Sequence, residues 1–226
     1  MTRLTVVLLL CLTFRSVVAG PGPRTVILVP ISKEYLSLES TIPAQNGRSQ
    51  IELTPPERGV RFDLDGDGVR ELVSWTQPNA DVAFLGIDFD GDGRIGDGRE
   101  LVGSRMRSDS SSGADALHNL LREVDSVSRG AVQGGDRLYD RLLLWVDRDH
   151  NGVCETSELR LAKELFTRVG LGFRIVTLLD KHGNIFWLQG WTELRTEGPD
   201  QGPSNNPRDH AKRLRQDFEV VLKSRD

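Results

Sequence analysis

One stretch of the chain, Asp147 to Leu159 (DRDHNGVCETSEL), places oxygen-bearing side chains at fixed intervals around a glycine. If Asp147 is position 1, side-chain oxygens fall at positions 1, 3, 5, 9 and 12, and position 7 offers its backbone carbonyl. The donors are Asp147, Asp149, Asn151, Val153, Glu155 and Glu158. Gly152 at position 6 permits a sharp bend. The spacing therefore predicts a loop that surrounds a cation.

This order of oxygen donors is that of the EF-hand calcium loop, and calcium is a hard cation that takes about six to eight oxygens. Apolar residues at helical spacing lie on both sides and predict a helix before and a helix after the loop. They are Leu138, Leu142 and Trp145 before it, and Leu159, Ala162, Leu165 and Phe166 after it. An acidic, solvated turn is the alternative. We therefore expect an α+β fold, in which an EF-hand-like helix-loop-helix pair accompanies short β-hairpins that carry acidic calcium loops.

Two earlier acidic stretches repeat the spacing between apolar segments that predict strands. The first has Ser74 at position 12, so we expect Asp81 to complete its ligands. The second has its closing acid, Glu100, at position 13, with Asp97 as an alternative. The predicted calcium ligands are Asp63, Asp65, Asp67, Val69, Glu71 and Asp81 in the first stretch, and Asp88, Asp90, Asp92, Arg94 and Glu100 in the second. Asp/Gly turns without a metal are the alternative interpretation.

A fourth frame runs from Asp125 to Asp136, with a glycine at position 6 but valine and arginine at positions 3 and 5. Arg129 would place a positive charge where a cation would lie. We expect this frame to bind no calcium, to keep the loop shape and to pair with residues 147–158. A plain connection between helices is the alternative.

Other patterns predict individual elements. Residues 24–31 predict a strand, residues 113–124 a helix, and residues 173–188 a β-hairpin that turns at 180–184. The inward residues of the helix are expected to be Ala116, Leu117, Leu120 and Leu121. Phe218, Val220 and Val221 predict a final strand.

The N-terminal residues have a positively charged start, an apolar run too short to span a bilayer, and small residues before Gly20. We expect a signal peptide at 1–19, a strand and linker arm at 20–59, a calcium-binding domain at 60–194, and a flexible linker and tail at 195–226. A disordered apolar N-terminus is one alternative, and a lipoprotein signal at Cys11 is another. These features predict a secreted or periplasmic protein.

Removal of residues 1–19 would leave 27 basic and 33 acidic side chains. An acidic chain of this kind argues against nucleic acid as a partner, and we expect no transmembrane segment in the mature chain. Cys154 would then have no partner for a disulfide, and we expect it to be a buried, unreactive thiol.

Several motifs occur together in this order: FDLDGDG followed by a tryptophan, an aspartate before an apolar run, DFDGDGRIGDGRELVG, a helix, LLLWVDRDHNGVCETSELR, and the D-x-x-GN turn at 180–184. On these motifs, Phe62 to Leu179 resembles the calcium-binding module of secreted bacterial repeats-in-toxin-type proteins and of related exported EF-hand proteins. The resemblance implies loops that bind calcium outside the cell and order the chain. The nonapeptide repeats of the toxins are missing here, so the resemblance implies no toxin or adhesin role.

We therefore expect a calcium-ion-binding protein with no catalysis of its own, because carboxylates that hold calcium are poor proton donors. One alternative is a calcium-dependent adaptor or inhibitor that binds another exported protein. A further alternative is a hydrolase that uses residues 20–60. The four histidines show no zinc spacing.

Overall fold

The computed structural model describes residues 24–31, 51–108, 110–127, 129–195 and 214–225. The predicted signal peptide, residues 20–23 and 32–50 of the predicted arm, and residues 196–213 and 226 of the predicted linker and tail lie outside the described residues. The described ranges contain fourteen β-strands and two α-helices. All paired strands are antiparallel.

The strands form three sheets. They are β1 Thr25–Pro30, β2 Val60–Phe62, β3 Glu71–Val73, β4 Val82–Gly86, β5 Ala131–Gln133, β6 Leu143–Trp145, β7 Leu159–Leu161, β8 Phe166–Gly170, β9 Arg174–Leu179, β10 Ile185–Gln189, β11 Thr192–Leu194, β12 Leu214–Arg215, β13 Phe218–Val221 and β14 Ser224–Arg225. The helices are α1 Gly113–Asp125 and α2 Ala162–Leu165. The seven-stranded sheet has the order β7-β6-β4-β1-β13-β10-β9, the four-stranded sheet β12-β11-β8-β5, and the three-stranded sheet β14-β3-β2.

Side chains in the middle of the seven-stranded sheet alternate between two hydrophobic clusters. In β6, Leu144 belongs to one cluster and Trp145 to the other; in β1, Ile27 and Leu28 divide in the same way. Residues of α1 and of the four-stranded sheet complete the first cluster, whereas β2 and β3 of the three-stranded sheet contribute to the second. The middle of the seven-stranded sheet is therefore covered on both faces, which explains why β1, β4 and β6 are continuous apolar runs.

The expected α+β fold with an EF-hand-like helix-loop-helix pair is wrong, because antiparallel sheets dominate the structure. The segment before the 147–158 loop forms a 3-10 turn at Tyr139–Arg141 and then β6, which pairs with β4 and β7. The segment after the loop forms β7, the four-residue α2 and then β8. Every residue of β6 meets one of the two clusters, so the run lacks the alternation of apolar and polar residues that identifies a strand.

The predicted helix and several predicted strands are confirmed. The helix is α1, whose first turn is capped by Ser112 through its hydroxyl, which accepts a hydrogen bond from the backbone N–H of Asp115. Its four predicted inward residues are all buried. The strand at 24–31 is β1, the hairpin is β9 and β10, and the C-terminal strand is β13. Both β1 and β13 lie in the middle of the seven-stranded sheet.

The fourth frame, residues 125–136, does not have the expected loop shape. Gly130 is outside the left-handed backbone region, and β5 pairs with β8 rather than with residues 147–158. The carboxylate of Asp125 accepts hydrogen bonds from the backbone N–H groups of Arg137 and Leu138. The side chain thus points out of the frame, since its bonds lie beyond position 12. Arg129 is paired with Asp136, at 2.6 Å.

Candidate metal centre

Three acidic loops follow buried strands at one region of the fold. Loop 1 (residues 63–74) begins directly after β2, loop 2 (residues 88–100) shortly after β4, and loop 3 (residues 147–158) shortly after β6. Four aromatic rings pack against one another beneath the loops, with neighbouring ring centroids 4.3 to 5.6 Å apart. Three belong to the strands that precede the loops and one follows loop 1: Phe62, Phe84, Trp145 and Trp75. The strands that lead into the three loops therefore share one packed aromatic cluster.

The first aspartate of each loop folds the backbone around its own carboxylate. Asp63 accepts hydrogen bonds from the backbone N–H groups of Gly66 and Gly68, at 2.7 and 2.8 Å. Asp88 accepts from Gly91 and Gly93, and Asp147 from Asn151 and Gly152. Positions 4 and 6 are left-handed in all three loops: Gly66, Gly68, Gly91, Gly93, His150 and Gly152. The three loops therefore share one backbone turn, although loop 3 has histidine rather than glycine at position 4.

Each loop brings three carboxylates together, with one oxygen of each lying within 4.8 Å of the others. In every case these are positions 1 and 3 and one later acid: Asp63, Asp65 and Glu71; Asp88, Asp90 and Glu100; Asp147, Asp149 and Glu158. Such hard oxygen donors fit a calcium ion. Like charges at this separation repel one another, and a divalent cation between them would offset that repulsion.

The aspartates and asparagine at position 5 make a second repeated contact. Asp67, Asp92 and Asn151 each accept a hydrogen bond from the backbone N–H two residues later. Those N–H groups belong to the predicted carbonyl ligands Val69, Arg94 and Val153. The contact orients the backbone of position 7. That these carbonyls bind an ion stays a prediction.

Two buried tryptophans donate hydrogen bonds to the first and the last acidic residue of loop 3, Asp147 and Glu158. The indole N–H of Trp75 donates to Oδ2 of Asp147 at 2.7 Å, and that of Trp145 donates to Oε2 of Glu158 at 3.2 Å. Burial raises the pKa of both carboxyl groups, and these hydrogen bonds oppose the rise only in part. Glu155 lies nearby, and its pKa is lowered mainly by a hydrogen bond from the Asn151 amide.

Loop 2 is closed by Glu100, the residue at position 13. Its two oxygens accept hydrogen bonds from the backbone N–H groups of Phe89 and Gly96, at 2.9 and 2.8 Å. Burial raises the pKa of Glu100. Asp97, the alternative ligand, instead pairs with Arg99, and its pKa is lowered by that contact. Loop 2 thus has one residue more than loop 3, within the run 96–98, and Glu100 still points into the loop.

Loop 1 differs from the others because a basic side chain lies within it. Arg24, immediately before β1, contacts Glu71 at 2.6 Å and Asp65 at 3.0 Å. Asp81, the expected sixth ligand, is exposed immediately before β4 and is not part of the carboxylate group around Asp63.

Loops 2 and 3 contact each other through their position-8 residues. Ile95 and Cys154 are both buried in the second hydrophobic cluster, and the backbone of Ile95 forms a hydrogen bond with the Cys154 thiol. Burial nevertheless raises the pKa of that thiol to about 11. The partner of loop 3 is therefore loop 2, not the fourth frame. Loop 1 is connected to loop 2 by the backbone N–H of Gly98, which donates to the carbonyl of Asp63.

Sequence reasoning assigned no role to Arg24 or to the indole N–H groups of Trp75 and Trp145. Arg24 is 41 positions before Asp65, and Trp75 is 72 positions before Asp147, so local spacing carries no signal for these contacts. The ring nitrogens of His150 lie 2.8 Å from the backbone carbonyls of Thr76 and Arg58, two contacts that local spacing does not indicate either.

The model of the SPM domain, a protein family, matches residues 45–199, which is more than half of the chain. The chain belongs to the SPM-domain family. The SPM match contains all three acidic loops and α1. It does not contain β1 or β13, which lie side by side in the middle of the seven-stranded sheet. The fold that positions the loops of this SPM domain therefore depends on strands from both sides of the matched region.

The chain is also similar to the iron-regulated protein FrpA of Neisseria meningitidis serogroup C, with 29% identity over 141 residues. The aligned region is 62% of this chain and 12% of FrpA, so the chain corresponds to a small part of that relative. The SPM match and this similarity fit the resemblance to repeats-in-toxin-type proteins. Among the described residues of the SPM protein, no helix has the length and apolar character needed to cross a membrane.

Proposed function

We propose that this chain is an exported protein, secreted or periplasmic, that binds calcium ions, and that calcium orders and stabilises its fold. The observation that carries the proposal is the repetition of one geometry: three loops with the same backbone turn each bring three carboxylates within 4.8 Å. The resemblance to secreted repeats-in-toxin-type proteins, which the SPM match and the similarity to FrpA fit, supports the assignment to exported proteins. The carboxylates act in this proposal as ligands, and none is assigned to acid–base catalysis.

The electrostatics of the loops support a stabilising role for the ion. Burial raises the pKa of Glu100, Asp147 and Glu158, because their charged forms lose hydration. A bound divalent cation would favour the charged forms. Calcium suits such loops better than magnesium, which requires a near-ideal octahedral arrangement of about six ligands.

A calorimetric titration of the chelator-treated chain with calcium tests the proposal, with magnesium as the control. We expect two or three calcium ions per chain, one for each occupied acidic loop. At a calcium concentration about 100-fold above Kd, each site would stabilise the fold by about 2.7 kcal/mol, which a rise in Tm would reveal. If calcium produced neither heat nor a rise in Tm, the loops would be turns without a metal and the proposal would be wrong.

The edge of the seven-stranded sheet supports a second candidate, a calcium-dependent adaptor or inhibitor that binds another exported protein. The edge strand β9 carries two exposed apolar side chains, Ile175 at 74% and Leu179 at 64%. An exposed apolar edge strand is suited to pairing with a strand of another protein.

Affinity capture from a periplasmic or secreted fraction, with calcium and with chelator, tests the second candidate. The bait would be the wild-type chain or an Ile175→Thr/Leu179→Thr variant, with Lys181→Thr in the exposed turn after β9 as the matched control. A partner that needs both calcium and the two apolar residues supports it. Identical capture by all three baits, or capture that chelator does not change, contradicts it.

A further inference from the structure

Arg24 distinguishes loop 1 from the other two loops. Its guanidinium contacts two of the three grouped carboxylates, Asp65 at 3.0 Å and Glu71 at 2.6 Å. The side chain of Asp65 is 10% exposed and that of Glu71 12%, so solvent screens these ion pairs only in part. Loop 1 therefore already holds one positive charge among its ligands.

The backbone next to Arg24 is held by strand pairing and by hydrogen bonds. The next residue, Thr25, begins β1 and is paired with Val221 of β13. Its backbone N–H donates to the Ser104 hydroxyl at 3.0 Å, and its own hydroxyl donates to the buried carboxylate of Glu219. The position of β1 thus places the Arg24 guanidinium beside loop 1. Arg24 lies outside the residues that match the SPM family.

Loops 2 and 3 have no comparable cation at their grouped carboxylates within the part of the chain that the structure describes. Glu100 accepts hydrogen bonds from two backbone N–H groups, and Glu158 from a backbone N–H and an indole N–H. Arg99 belongs to loop 2, but its side-chain hydrogen bonds go to Asp97, which is outside the three grouped carboxylates. The backbone and indole N–H donors are uncharged, so among the described residues no side-chain cation contacts the grouped carboxylates of loops 2 and 3 as Arg24 does in loop 1.

We propose that Arg24 is an internal cation of loop 1 that competes with calcium. Loop 1 binds calcium only when the guanidinium leaves Asp65 and Glu71, and it is the weakest of the three sites. A missing acid at position 12, where Ser74 stands, acts in the same direction because it removes the closing bidentate ligand. The inference rests on the proposed calcium function and assigns an order of affinity to its sites.

An Arg24→Gln variant tests the competition in a calcium titration of the full chain. Removal of one like charge at ligand distance raises the affinity of loop 1 for calcium by at least about tenfold, and the titration gains a site that is weak or undetected in the wild type. Arg61→Gln is the matched control, because Arg61 is exposed near loop 1 and, among the residues that the structure describes, donates only to the carbonyl of Arg70. It leaves all calcium affinities unchanged if the effect belongs to the Arg24 ion pairs. An unchanged or reduced affinity in Arg24→Gln, with calcium binding intact elsewhere, overturns the inference.

A second series keeps the test decisive if Arg24→Gln does not fold. Asp65, Asp90 and Asp149 hold position 3 of loops 1, 2 and 3, and each can be changed to Asn singly. Asp90→Asn and Asp149→Asn each weaken one tight site, whereas Asp65→Asn leaves the tight sites unchanged. Loss of a tight calcium site in Asp65→Asn overturns the inference about Arg24 but leaves the proposed calcium-binding function standing. A wild-type chain that binds no calcium overturns the proposed function, and the inference with it.

Discussion

The indole nitrogen of Trp75 lies 2.7 Å from Oδ2 of Asp147, and this hydrogen bond connects the residue that follows loop 1 to the first predicted ligand of loop 3. Both side chains are buried. The same carboxylate oxygen accepts a hydrogen bond from the backbone N–H of Gly152, so a core side chain and the loop's own glycine fix it together. The orientation of a predicted calcium ligand therefore depends on the packing of the aromatic core.

Replacement of Trp75 with phenylalanine keeps an apolar ring but removes the indole N–H. We expect a loss of about 2 to 4 kcal/mol in the free energy of unfolding in chelator, because a buried carboxylate loses a donor and the smaller ring leaves a gap. We also expect weaker calcium binding at loop 3. Urea unfolding and calcium titration measure the two effects. Trp187→Phe in β10 is the control, since Trp187 is partly buried outside the loops; equal losses of calcium affinity in both variants would contradict the role of the Trp75 hydrogen bond.

Loop 3 and the fourth frame offer a matched pair of double variants. Asp147→Asn/Glu158→Gln removes two charges from a grouped site, and we expect one calcium ion fewer per chain and a smaller rise in Tm with calcium. Asp125→Asn/Asp136→Asn changes positions 1 and 12 of the fourth frame, where the carboxylates bind backbone N–H groups and Arg129. It should lower stability by about 1 to 3 kcal/mol without changing calcium stoichiometry. A stoichiometry that did not change in the loop 3 variant would show that loop 3 is not a site.

Asp217 predicts a specific dependence of stability on pH. Burial raises the pKa of the Asp217 carboxyl well above its usual value, and the nearby backbone N–H of Gly190 offsets this rise only in part. The folded protein therefore binds a proton that the unfolded chain has released, and this group's contribution to stability is full below the unfolded pKa and falls as pH rises through the folded pKa. Asp217→Asn has no carboxyl group to ionise, so it removes the loss of stability that this group causes at higher pH.

We therefore expect Asp217→Asn to be more stable relative to wild type at pH 7 than at pH 4, by about 1 to 3 kcal/mol. Urea unfolding at a series of pH values, in chelator to exclude calcium, measures the difference. The exposed Asp81→Asn is the control and should show no such trend. A difference between Asp217→Asn and wild type that was the same at every pH would contradict the prediction.

The Cys154 thiol should be unreactive in the folded protein. Burial raises its pKa to about 11, so little thiolate is present at pH 8, and the side chain is only 3% exposed. We expect a thiol reagent to modify it at least about 100-fold more slowly in the folded chain than in urea. The measurement uses a Cys11→Ser background, with Cys154→Ser as the blank. Fast modification under native conditions would show that the contact between loops 2 and 3 opens readily.

The sequence by itself determined the three acidic loops and several local elements. Ligand spacing and glycine position depend on neighbours a few residues apart, so the carboxylates of Asp147, Asp149 and Glu158 could be grouped from their order alone. The α1 helix, the β9–β10 hairpin and the strands β1 and β13 were predictable for the same reason, since each has a local periodicity or turn signal.

Only the tertiary structure decided what flanks the loops and what holds their ligands. The run at Leu143–Trp145 forms a strand because it lies between two hydrophobic clusters, and a run that is buried on both faces has no distinctive period. Arg24 reaches Asp65 and Glu71, and Trp75 reaches Asp147, because segments distant in the chain pack together. The acidic loops are thus determined by residues close together in the sequence, whereas the charge balance and the orientation of their ligands depend on contacts between distant parts of the chain.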